Sequence, residues 1–125
     1  MKRARWIFLV AGIYGILILA PGFFLEQVAN ASDPPPITHP EFYYGFYGSA
    51  LVWQLVFLAI WRWPEKLRVL IPITILEKLA FFAASLALYF TGRMAIAGPF
   101  IGGMIDGFWM VMFAVAWFAG KPKAA

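Results

Sequence analysis

Across 125 residues the chain is 63% hydrophobic and only 13% charged, with a formal net charge of +4 and no cysteine. A soluble domain this small could not hide so much apolar surface, and the missing cysteines exclude disulfides, thiolate nucleophiles, thiolate metal sites and iron–sulfur clusters. The basic residues are not gathered into one patch, so the net charge does not point to nucleic acid.

Residues 1–5, MKRAR, lead into an apolar run over 6–25. It reaches the roughly 20 residues that a helix needs to cross about 30 Å of hydrocarbon. Pro21-Gly22 is expected to break it near its end. A competing layout is a secretory signal peptide, because a basic start and an apolar stretch precede Ala29-Asn30-Ala31 and Ser32. The run exceeds the usual apolar core of such peptides, about 7–15 residues, so a retained first span is expected.

Residues 26–41 form a polar connection holding Asp33-Pro34-Pro35-Pro36 and the only histidine, His39. Consecutive prolines favour stiff polyproline II, so a spacer across the outer mouth of the bundle is expected. A second apolar run covers 42–61 and carries Trp53 and Gln54 near mid-depth, and Pro64 closes the turn after it. A third, 69–90, contains PITILEKLAFF, which places Glu77 and Lys78 side by side among apolar residues. Counting 1.5 Å per residue from Val69, Glu77 lies about 12 Å into the membrane. After the short turn Thr91-Gly92-Arg93, a fourth run, 95–118, contains Asp106 and the glycines Gly98, Gly102, Gly103 and Gly107.

The connections set the threading. Lys2, Arg3 and Arg5, then Arg62, Lys66 and Arg68, then Lys121 and Lys123 all fall on one side, whereas 26–41 has no Lys or Arg. The positive-inside bias makes that side the cytoplasm. The expected architecture is all-α: one transmembrane domain over 1–125, a four-helix bundle in the inner (plasma) membrane with both termini cytoplasmic. Trp6, Trp61, Trp63 and Trp117 are placed at the inner interface, and Phe42, Tyr43, Tyr44 and Tyr47 near the outer one, as an aromatic belt requires.

The chemistry-bearing residues are few. Asp106 comes down the fourth run to the depth of Glu77 and Lys78, so Lys78 with Asp106 is the expected buried ion pair, Lys78 snorkelling toward the cytoplasm being the alternative. Consecutive helix residues diverge by about 100°, so Glu77 and Lys78 are expected to face different neighbours. That leaves Glu77 to face Gln54, Tyr14 or water. The indoles of Trp53 and Trp109 at mid-depth each need an acceptor, a carboxylate being the simplest. Gly98/Gly102 and Gly103/Gly107 have the small-xxx-small spacing that lets helices approach, within the bundle or between copies.

Enzyme chemistry finds no foothold. His39 has no second imidazole for a metal or haem, and no nucleophile motif or phosphate-binding glycine loop is present. No metal and no cofactor is therefore expected. The cluster of Gln54, Glu77, Lys78 and Asp106, with Trp53 and Trp109, supports two functions. The first is a non-enzymatic membrane protein that packs against itself or a partner protein, the cluster fixing helix register. The second is a carrier of a small molecule, cation or proton, in which a Glu and an Asp around one Lys exchange a proton or bind a cation.

Overall fold

The computed structural model describes residues 1–120; the basic pair Lys121 and Lys123 lies outside the described residues. The chain is all-helical: α1 (Lys2–Leu19), α2 (Glu26–Ser32), α3 (Pro40–Arg62), α4 (Ile71–Phe90) and α5 (Gly98–Ala119). Lys2–Phe24, Pro40–Arg62, Arg68–Phe90 and Gly98–Ala119 are each long and apolar enough to cross a membrane. Many of their large apolar side chains are exposed, Leu17, Val52, Val69 and Phe90 among them. That distribution suits lipid, which solvates such side chains where water would not.

Proline and glycine set the helix ends. Pro21 and Gly22 turn the last part of the first run into a 3₁₀ segment, Ala20–Phe24. α5 begins at Gly98, three residues later than the apolar run, with Pro99 in its first turn, where a missing N–H costs nothing. α4 ends in a Schellman cap. Gly92 takes φ +75° while its N–H bonds Tyr89 O at 3.1 Å and the Arg93 N–H bonds Leu88 O at 2.8 Å, a conformation that glycine adopts without Cβ strain. The connection expected as a polyproline spacer contains a helix instead. Residues before Asp33 form α2, and Asn30 Oδ1 accepts the Ile37 N–H at 2.7 Å; the prolines begin only at 34, too late to stop a helix upstream.

α1, α3 and α4 each bury one face: Ala4, Phe8, Ala11, Gly12 and Gly15 on α1; Gln54, Phe57 and Ile60 on α3; Ile71, Thr74, Lys78 and Ser85 on α4; α5 buries Gly103 and Gly107 in its first half and, turned to another side, Phe113 and Ala116 in its second. This is the helical repeat of a shared interior. The main packing pairs are α4 on α5, α1 on α3 and α1 on α5. Rings from three helices meet at the centre. Phe8 stacks on Phe113 at 4.5 Å and 11°, and Phe57 meets Phe113 at 4.9 Å and 60°, within the preferred aromatic geometries.

Small residues let the helices close. A Cβ on Gly15 would collide with the Gln54 carboxamide, and one on Gly103 with Ser85 Oγ; one on Gly107 would lie 2.5 Å from the Phe82 ring. Gly103 and Gly107 are thus used inside the chain, against α4. Gly102 has only ordinary contact with Phe81, and Gly98 lies beside the Asp33 carboxylate, so the two glycine pairs do different jobs.

Met1 and Gly120 lie at the same end of the bundle, in contact range of each other. Two arginines fasten that end. Arg5 Nε donates to Trp61 O at 3.2 Å, and Arg68 donates to Gly120 O at 3.0 Å and Trp117 O at 3.2 Å, its guanidinium 3.8 Å from the Trp117 ring centre. Each satisfies carbonyls at or beside a helix C-terminus, where the helix dipole favours a cation. At the other end Tyr43 donates to Gly22 O at 2.6 Å and Tyr44 to Glu26 Oε2 at 2.9 Å. These bonds hold the α1–α2 connection against the first turns of α3.

Candidate functional site

The later start of α5 brings Asp106 eight residues below Gly98, about 12 Å down the helix. Glu77 and Lys78 sit at comparable depth on α4. Close approach of α4 and α5 at Gly103 and Gly107 aligns the two helices there, so the short Asp106 side chain can reach Lys78.

The structure brings three of the predicted residues together. Lys78 Nζ donates to Asp106 Oδ1 at 3.3 Å and lies 3.6 Å from Glu77 Oε2. Lys78 is 7% exposed, and it does not snorkel, because a carboxylate across the helix interface is nearer than the headgroups. Beneath it lies the Phe57 ring of α3, with Nζ 5.3 Å from the centroid, within cation–π range. One lysine therefore touches side chains on α3, α4 and α5.

Glu77 differs from expectation. The 100° divergence of consecutive residues describes their Cβ directions, whereas the ends of two long side chains can swing back together. At 3.6 Å the contact is ionic but longer than a hydrogen bond, and Glu77 Oε2 is buried with no donor. Two carboxyl groups thus share one ammonium, so the trio holds one acidic group more than it has cations. Neither carboxylate is sealed: the side chains of Glu77 and Asp106 are 16% and 20% exposed.

The remaining predicted residues lie outside this trio. Gln54 is 1% exposed, donates to Ala50 O of its own helix at 2.8 Å and presses its carboxamide against Gly15. It serves the α1–α3 contact, because the glycine opposite leaves room for it. Trp53 packs on the aromatic core, and Trp109 lies among rings, 6.0 Å from Tyr14 and 6.1 Å from Phe113. Neither indole N–H bonds a carboxylate; Asp106, one turn before Trp109, is turned toward α4 instead. His39 lies 3.3 Å from Glu41 Oε1 in the exposed connection. Among the described residues no group of three His, Cys, Asp or Glu side chains is gathered.

Sequence reasoning missed Phe57 and Ser85. Phe57 follows Gln54 by three residues, so the same helical face that carries Gln54 also carries the ring under Lys78. Ser85 Oγ is buried without a hydrogen-bond partner against Gly103, and its spacing of seven from Lys78 was the available signal. Cavities elsewhere among the described residues include one lined by Met1, Lys2, Arg3, Ala4, Ala119 and Gly120 and another lined by Ile16, Leu17, Ala20, Pro21 and Phe24. No protein-family model matches the chain, and no match was found among curated proteins or among solved structures.

Proposed function

We propose that this chain is a non-enzymatic protein of the inner (plasma) membrane that acts by packing, as an accessory to a partner membrane protein or to further copies of itself, with its basic end in the cytoplasm. The observation that carries this reading is Lys78, bound to Asp106 across the α4–α5 interface and resting on Phe57 of α3. A lysine held this way fixes depth and register in a bundle whose apolar side chains would tolerate sliding. The cytoplasmic assignment rests on Lys2, Arg3, Arg5, Arg62, Lys66 and Arg68 flanking the spans at one end. The test is a double-mutant cycle on thermal stability in detergent with Asp106→Asn, Lys78→Met and both. A register device loses stability with either change alone and recovers most of it in the pair. A cycle with no coupling would end this reading.

A second reading is favoured by Glu77 Oε2, buried without a donor beside an ammonium already shared with Asp106. In that reading the trio takes up a proton, a small cation or a small cationic molecule, and the chain is a carrier. Vesicles reconstituted with the protein and holding a pH-sensitive dye distinguish the two. Flux driven by an imposed gradient, abolished by Glu77→Gln with the fold intact, supports the carrier; no flux above empty vesicles supports the packing role.

A further inference from the structure

The basic end holds a feature that neither helix packing nor the ion trio uses. A cavity of about 280 Å³ opens between the first turn of α1 and the last turn of α5. Its walls have two characters. Lys2 and Arg3 are exposed, and among the described residues neither side chain makes a hydrogen bond or ion pair. Ala4 and Ala119 supply apolar walls, and Gly120 supplies a carbonyl already bonded to Arg68. That last bond matters, because a free helix C-terminus would repel an anion and here the guanidinium covers it.

The neighbouring cations are committed differently. Arg5 and Arg68 cap helix ends, and Arg62 lies 5.5 Å from the Trp63 ring centre. Among the described residues, Lys2 and Arg3 are the basic side chains that line this cavity. The site stands at the end of two apolar helices, and Trp6, 60% exposed, projects one turn away, at the level where indoles meet headgroups. A ligand filling it would carry negative charge at one end and apolar chains at the other.

We infer that this cavity binds the headgroup of an anionic phospholipid, with Lys2 and Arg3 as its phosphate ligands. A basic pocket at the end of packed spans is a lipid-headgroup site by chemistry, with each basic side chain near an anionic surface contributing about fivefold in affinity. Losing both should cost about 30-fold.

The test follows thermal unfolding of the full chain in a zwitterionic detergent during titration with phosphatidylglycerol, phosphatidylcholine or inorganic phosphate. The wild type is expected to gain stability saturably with phosphatidylglycerol alone. Lys2→Gln with Arg3→Gln should lower the apparent affinity about 30-fold, whereas Arg62→Gln with Lys66→Gln, equal in charge and away from the cavity, should leave it nearly unchanged. Ala119→Leu fills the cavity without altering charge and should also weaken the lipid effect, which keeps the test decisive if the charge variant inserts poorly. Equal losses in the two charge variants would reduce the effect to diffuse attraction and overturn the site. An equal response to inorganic phosphate would overturn the lipid assignment.

Discussion

The ammonium of Lys78 lies 5.3 Å from the centre of the Phe57 ring, and the same ring packs on Phe113 and Phe8 in the centre of the bundle. The charged site and the aromatic core are thus one continuous structure, and a change in either is felt by the other.

Asp106→Asn should destabilise the fold, because the buried ammonium keeps an amide acceptor but loses the opposite charge that it pairs with across the helix interface. Removing one member of a buried pair costs about 3–5 kcal/mol. Glu77 remains 3.6 Å away, so the lower end of that range is expected in detergent melting. Glu77→Gln, which removes a longer contact, should cost less than Asp106→Asn. The reverse order would assign the principal pair to Glu77.

Phe57→Ala should lose about 3–5 kcal/mol, the usual cost of emptying a fully buried phenyl site. Phe57→Leu keeps most of the volume but removes the π face, worth up to about 2 kcal/mol where the cation is desolvated. That smaller loss should shrink in a Lys78→Met background. An equal loss in both backgrounds would show that the ring serves packing alone.

Gly103→Val should separate α4 from α5, since even a Cβ there meets Ser85 Oγ. Overpacking of this kind costs about 1–3 kcal/mol and should weaken the Lys78–Asp106 coupling in the double-mutant cycle as well. Gly102→Ala, whose Cβ has only an ordinary contact at 3.9 Å with Phe81, should be nearly neutral. Matching effects at the two glycines would refute the assignment of Gly103 to the α4 interface.

Arg68→Gln should release the last turn of α5, because the guanidinium bonds both Trp117 O and Gly120 O. A loss of about 1–2 kcal/mol is expected for a charge-assisted pair at a partly exposed helix end. Faster amide exchange at the end of α5, with the centre of α5 unchanged, is the local readout.

The absence of cysteine makes the threading testable without background labelling. A membrane-impermeant thiol reagent applied to intact cells should label Thr38→Cys in the α2–α3 connection and spare Glu65→Cys after α3. Both positions are exposed, so burial does not mask either one. The opposite pattern would invert the proposed orientation.

Much of the architecture was legible before any coordinates. Four runs of spanning length became four long helices, and the Pro21-Gly22 break became a 3₁₀ segment, because hydrophobic length and proline chemistry act locally. Residues 26–41 carry two local signals: the prolines at 34–36 favour an extended spacer, whereas the stretch before Asp33 is free of proline and forms α2. The pairing of Lys78 with Asp106 followed from depth counting along antiparallel neighbours. Glu77 was misplaced because helical angle describes where a side chain starts, and two long flexible stems end elsewhere.

By itself, the sequence determined which segments are apolar enough to span, where their helices break and which charges lie deep, since these depend on composition and spacing along one chain. Only the tertiary structure decided that Gln54 belongs to Gly15 rather than to the charges, that Phe57 floors the Lys78 site, and that Arg68 rather than solvent satisfies the end of α5. Those outcomes depend on helix rotation and on which pairs of helices touch. In four spans with apolar residues on every face, small residues and buried polar groups, not overall hydrophobicity, settle both.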